Sequence, residues 1–115
     1  MEDILESLNQ LPGVQASLIV DRDGLVILST GKADPDPDFV GATAAEYFVT
    51  LDTGLAEKLS MGQLDTASLE GTQGNLFLKG INDATCLVVL TRSKVNLGLV
   101  RYEIKHASER LREQL

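Results

Sequence analysis

The sequence predicts an α/β domain of the α+β kind, a five-stranded antiparallel sheet with helices on both faces, in the order α-β-β-α-β-β-β-α. Three observations predict it. Turn residues join successive apolar runs at Asp21–Gly24, Gly71–Gly74 and Asn82–Asp83, and turns this tight connect antiparallel neighbours. Three other segments repeat their apolar residues at helical spacing. The run from Ala84 to Thr91 is apolar on both faces, which places it centrally, with helices covering each side. A chain of 115 residues, 43% of them hydrophobic, supports one such core, so residues 1–115 are read as one domain.

In chain order, Ile4, Leu5, Leu8 and Leu11 give an apolar stripe that predicts a helix from Glu2 to Gln10, ended by Pro12-Gly13. Val14 to Val20 follows as a strand whose even positions are all apolar. Asp21-Arg22-Asp23-Gly24 turns it, with glycine where a positive φ is needed, and Leu25 to Thr30 returns. Residues Gly31 to Pro35 form a loop. Asp36 caps a helix that starts at Pro37, with Asp38 near the positive end of its dipole. That helix is expected to run to about Lys58, its stripe Val40, Ala44, Phe48, Leu51, Leu55 and Leu59 facing the sheet. Gly41, Ala45, Val49 and Ala56 lie on a neighbouring face, where small side chains let a second helix approach closely. Strands then follow from Leu64 to Glu70, from Asn75 to Ile81 and from Ala84 to Thr91. A last helix runs from Lys94 or Val95 to Gln114, burying Leu97, Val100, Ile104, Ala107 and Leu111 and turning its charge run to solvent.

Composition excludes several function classes. The net charge is −7, with 17 acidic residues against ten scattered basic ones. A nucleic-acid binder gathers Lys and Arg to displace counterions, so no nucleic acid is expected as a partner, and an anionic membrane surface is disfavoured on the same ground. No apolar run approaches the roughly 18 residues that cross a bilayer, and the acidic start Met1-Glu2-Asp3 is unlike a signal peptide. A cytoplasmic protein that binds other proteins is the expectation.

Catalytic chemistry has few candidates. Cys86 and His106 are the only residues of their kinds, too few for an internal disulfide or a closed zinc site. Cys86 reads as an inert core thiol and His106 as an exposed helix residue. No glycine-rich phosphate loop is present. The carboxylates at Asp21 and Asp23, and at Asp34, Asp36 and Asp38, sit where turns and caps use them for backbone reasons. Arg22 and Arg92 are the cations that could stabilise phosphoryl-transfer charge in a bound partner; a turn arginine ordinarily does nothing of the kind. No enzymatic activity, cofactor or metal is expected.

The segment Leu18-Ile19-Val20-Asp21-Arg22-Asp23-Gly24-Leu25-Val26 resembles the hairpin of the roadblock/dynein-light-chain family, and Asn96-Leu97-Gly98-Leu99-Val100-Arg101 resembles the start of that family's last helix. Element order and length agree over essentially the whole chain. The resemblance implies a roadblock/profilin-like fold with the long helix on one sheet face and the terminal helices on the other. It also implies a homodimer whose third strands pair and whose long helices pack side by side. Gly41, Ala45, Val49, Ala56, Leu64, Thr66, Ser68 and Glu70 are accordingly expected at the dimer interface. A polar-flecked edge strand is itself a pairing template. Family members serve as scaffolds and as regulators of small Ras-like GTPases, which implies such a GTPase as partner. The competing reading is a PAS-like small-molecule sensor, whose strands and central helical segment follow the same β-β-α-β-β-β order. One long helix instead of several short ones, no tryptophan and 4% aromatic residues disfavour it.

Overall fold

A computed structural model describes residues 1–115. Its elements are α1 (Glu2–Asn9), β1 (Val14–Asp21), β2 (Val26–Gly31), α2 (Pro37–Thr53), β3 (Thr66–Glu70), β4 (Gly74–Gly80), β5 (Thr85–Arg92) and α3 (Leu97–Gln114). The five strands form one antiparallel sheet in the spatial order β2-β1-β5-β4-β3. β5 is therefore central, as its two apolar faces require, and β2 and β3 are the edges.

Alternation along the strands sorts their side chains into two layers. Ala16, Leu18 and Val20 of β1 join Leu78, Cys86 and Val88 under α2, which contributes Val40, Ala44 and Phe48. Ile19, Phe77, Leu87 and Val89 point to the other face. There α1 adds Ile4, Leu5 and Leu8, and α3 adds Val100, Ile104, Ala107 and Leu111. Burying each large side chain contributes about 1.5–3 kcal/mol. At eight residues α1 is too short to be stable alone in water, so the packing holds it.

Local chemistry fixes the connections. The Asp21 carboxylate accepts the N–H groups of Asp23 and Leu25 at 2.9 and 3.0 Å, and Gly24 takes φ +92°, which closes the β1–β2 turn. Asp36 caps α2 by accepting the Phe39 N–H at 2.9 Å. The last helix begins later than expected, because Asn96 is its cap and accepts the Leu99 N–H at 3.0 Å.

The long helix departs from expectation at its end. After Thr53 it widens into a π-helical turn, Gly54–Lys58, in which the Leu59 N–H reaches back five residues to Gly54. The wider turn breaks the 3.6-residue phase, so Leu59 is 60% exposed and not part of the sheet-facing stripe. Leu51 is also out, at 36% exposure. Leu64 precedes β3 instead of belonging to it. Its side chain is buried under α2, and its N–H donates to the Asp52 carboxylate at 2.6 Å. No helix is long and apolar enough to cross a membrane.

Candidate interaction surface

Helix α2 lies over β1, β2 and β5; on the same face of β4 and β3, Leu78 is buried beneath it and the rest is only partly covered. In the β3–β4 register Ala67 sits opposite Leu78 and Leu69 opposite Leu76, so Ala67 and Leu69 point to the α2 side. Leu76 and Leu90 are only half-buried there, and Leu69 is exposed. The flank of α2 above them carries Phe39, Thr43, Tyr47 and Leu51 at successive i, i+4 positions. Phe39 is 59% exposed and Tyr47 43%. Between helix and sheet runs an open trough of about 190 Å³ lined by Phe39, Val40, Thr43, Leu76 and Leu90. Beyond Leu76, its register partner Leu69 carries the apolar surface onto β3, which pairs only with β4. Apolar side chains and an unpaired strand edge are thus continuous.

The segment that carries α2 is acidic. Between Lys32 and Lys58 the chain carries no basic residue but has Asp34, Asp36, Asp38, Glu46, Asp52 and Glu57. Asp52 alone of these is in an ion pair, 3.1 Å from Arg22. The Leu64 N–H, with Arg22 beyond it, holds the Asp52 carboxyl below the usual carboxylate range, against the opposing effect of burial.

The residues expected at an interface divide into two groups. Gly41, Ala45 and Leu64 are buried inside the chain and present no surface. A Cβ on Gly41 would lie 2.5 Å from Val26 Cγ2 and 3.1 Å from Val20 Cγ1, so this small-residue row serves close approach of α2 to β1 and β2, not to a second helix. Val49, Thr66 and Glu70 are exposed, and Ala56 and Ser68 half-buried. Val49 follows Ala45 by four residues and so lies on the β2 flank of α2, away from the trough. Thr66, Ser68 and Glu70 point to the α3 side of β3, where Ser68 Oγ is 3.5 Å from Arg101 Nε. Phe39, Tyr47, Leu51 and Leu69 are exposed apolar residues that the sequence reading does not single out for an interface. The i, i+4 row of Phe39, Thr43, Tyr47 and Leu51 is the signal that marks the three on α2.

The remaining candidates take structural positions. Arg22 turns inward: its Nε donates to the Asp83 carbonyl at 2.6 Å, its guanidinium pairs with Asp52 and it stacks 5.4 Å from the Phe48 ring centroid. It ties the β1–β2 turn to α2 and to the β4–β5 turn. Arg92 ends β5, and its backbone N–H donates to the Gly13 carbonyl at 2.8 Å. Cys86 is 3% exposed, and burial pushes its thiol up to about 12. His106 is exposed, edge-on to Tyr102 at 4.4 Å.

The Roadblock/LC7 domain model matches residues 1–91. The chain is 37% identical over 112 residues to the uncharacterized protein MJ1340 of Methanocaldococcus jannaschii, covering 97% of this chain and 96% of that one. Among solved structures it resembles a Roadblock/LC7 domain from Streptomyces avermitilis, with a TM-score of 0.91 at 19% identity over 99% of this chain and 96% of that one. It also resembles the gliding protein MglB of Thermus thermophilus, with a TM-score of 0.88 at 22% identity over 97% and 85% of the two chains. Both structures share its fold. With residues 1–91 under the family model, the chain belongs to the Roadblock/LC7 family, a family of interaction modules.

Proposed function

We propose that this chain works as a homodimeric module that binds, and thereby scaffolds or regulates, a small Ras-like GTPase. The observation that carries the dimer is the continuity of the trough with the free edge of β3. A second copy related by a two-fold axis pairs β3 with β3 and lays the Phe39–Leu51 flank of each α2 over the other's trough. That covers Leu69, Leu76 and Leu90, apolar side chains that a monomer leaves wet. Joining a strand edge to a helix flank on each side gives an interface of ordinary size, about 1,600 Å² in total. The GTPase rests on family membership and on the likeness to a gliding protein. The acidic segment from Asp34 to Glu57 supports a partner with a basic face.

Light scattering tests the dimer: a mass near twice 12.4 kDa at micromolar concentration is expected. Leu69→Lys and Tyr47→Arg each place a charge in the covered region and should give folded monomers. A wild-type monomer sinks the dimer reading. For the partner, the wild-type protein immobilised as bait should retain a Ras-like GTPase from its own cell with a preference for one nucleotide state. Equal retention with both nucleotides, or none, argues against a switch regulator.

A further inference from the structure

At the end of the sheet nearest the β1–β2 turn, a cleft of about 320 Å³ opens between the β4–β5 turn, the segment after α2 and the last turn of α3. Two guanidinium groups grip the same turn there. Arg22 donates its Nε to the carbonyl of Asp83 at 2.6 Å, and Arg112 donates its Nε to the carbonyl of Ile81 at 2.7 Å. Each arginine is anchored through its inner nitrogen, which leaves the outer nitrogens for other work. Arg22 commits one of them to Asp52 at 3.1 Å. Arg112 makes no ion pair and its outer nitrogens no hydrogen bond, although its charge acts on the Asp65 carboxyl of the same cleft. Both residues line the one cleft, together with Phe48 and Leu64, which are almost wholly buried and reach it only by their edges.

Charge narrows the chemistry. Arg22, Arg112 and Lys79 are the cations in or beside the cleft, and Asp52, Asp65 and Asp83 the carboxylates. Lys79 is 2.6 Å from Asp65, and Arg22 is paired with Asp52. The sum is zero, which gives a dianion such as a phosphate monoester no net attraction. A single negative charge gains no net attraction either but costs less to bring in, so recognition rests on the fork: a planar carboxylate can take two parallel N–H bonds from one guanidinium, and an anchored fork loses little freedom in making them.

We propose that this cleft binds a carboxylate borne on a short apolar group. The carboxylate lies on the outer nitrogens of Arg112, with the remaining outer nitrogen of Arg22 beside it, and the apolar group rests on the edges of Leu64 and Phe48 that reach the cleft. The carboxylate belongs either to a free small acid or to the C-terminal residue of a polypeptide, and the two sources call for separate probes. The site lies within one chain and stands independently of the dimer.

Amide shifts of the isotope-labelled full chain test it, with four probes: 4-methylpentanoate, its neutral amide, a tripeptide ending in leucine and the same tripeptide amidated. Saturable shifts confined to residues near Gln63–Asp65 and Gly80–Asp83 are expected with an acid and not with its amide. For ligands of so few atoms the Kd should be on the order of 1 mM. Saturation by the free acid alone identifies a metabolite, and saturation by the tripeptide, a chain end. Arg112→Gln should weaken binding about tenfold or more, and Arg112→Lys, which keeps the charge but loses the fork, should recover only part of it. Spectra unchanged elsewhere establish that both variants fold. Binding of an amide as well as its acid, undiminished binding by Arg112→Gln, or no saturable shift with any probe overturns the proposal.

Discussion

Substituting Gly41 with alanine discriminates between two ways of using a small residue on a helix. On a helix face open to solvent, or waiting for a partner, alanine removes the entropic penalty of glycine and gains about 1 kcal/mol. In the present structure the added methyl carbon lands 2.5 Å from Val26 Cγ2 and 3.1 Å from Val20 Cγ1. Carbon atoms rest about 3.5–4.0 Å apart, so Val26 must withdraw by about 1 Å or α2 must lift from the sheet. Valine is stiff at χ1, which limits its retreat. Val20 is fully buried and has nowhere to go. Overpacking of this kind costs about 1–3 kcal/mol. The cost exceeds the helix gain, for a net loss of about 1 kcal/mol.

For a chain of 115 residues that loss lowers the melting temperature by about 4 °C. Urea unfolding at one fixed protein concentration measures it as a lower midpoint at unchanged slope. Val26→Ala makes room for the new methyl, so the double variant should lose less than the two single losses combined, with a coupling of about 0.5–1 kcal/mol. Gly54→Ala is the matched control, since nothing of its own chain lies within 4 Å of the added carbon and its φ of −60° suits alanine. It should gain about 0.4–1 kcal/mol. Stabilisation by Gly41→Ala, or simple additivity with Val26→Ala, would refute the packing described for this face.

The other predictions concern single groups. Cys86, buried and with its thiol raised to about 12, should not react with a disulfide reagent at about pH 8 in the native protein and should react at once in urea; fast native labelling would contradict its place in the core. Asp52 and Asp65 are both held below the 3.8 of a free carboxyl, Asp52 first by the Leu64 N–H and Asp65 first by Lys79. A depressed carboxyl stabilises the fold above its unfolded value and loses that contribution as pH falls through the folded one. The urea midpoint should therefore drop as pH falls below about 4, and Asp52→Asn should flatten that drop; an unchanged acid slope in the variant would assign the loss to other groups. Asn96→Ala removes the acceptor for the Leu99 N–H and should lower stability by about 1 kcal/mol, read in the same assay; no change would mean that water replaces the cap.

Nearly all of the element order is legible in the sequence because each element carries its own periodicity and its own stop. The Asp21–Gly24 turn, the Asp36-Pro37 cap and the doubly apolar run of β5 need no tertiary information. The face of α2 is harder. Val40, Ala44 and Phe48 point correctly at the sheet, but a helix on a sheet buries a stripe more than about 100° wide, and Gly41 and Ala45 fall inside it. Small residues permit close approach to either a sheet or a helix, and spacing alone does not say which. The end of α2 departs from its expected stripe because a π turn changes the phase of everything after it, and nothing in Gly54–Lys58 marks that change in sequence. Arg22 reads as exposed because it sits in a turn. Its partners, Asp52 and the Asp83 carbonyl, are 30 and 61 residues away, beyond the reach of local reasoning.

The interaction surface depends on which of two sheet edges is free to pair, and the edges differ in a way that decides between them. β2 is an irregular edge. Its register against β1 shifts between Ile19 and Val20, where Val20 meets Val26 and Ile19 meets Leu28, so Ile27 is left over as a bulge. Bulges twist an edge away from incoming strands. Its far end is occupied as well, with Asn9 of α1 donating to Thr30 Oγ1 at 2.8 Å, and Gly31 closing at φ +82°. β3 has none of these protections. All five of its residues pair with β4 in unbroken register, it holds no proline and no lysine, and its α2-side neighbours are the uncovered Leu69 and Leu76. A regular edge beside apolar surface is the arrangement that aggregates unless something covers it. In the proposed dimer a copy of the chain would cover it and bury the apolar trough in the same step, because a two-fold axis across β3 would carry the exposed flank of α2 onto the partner's trough. The sheet edge and the exposed aromatic flank are thus two parts of one requirement, and a charge at Leu69 should disturb both together.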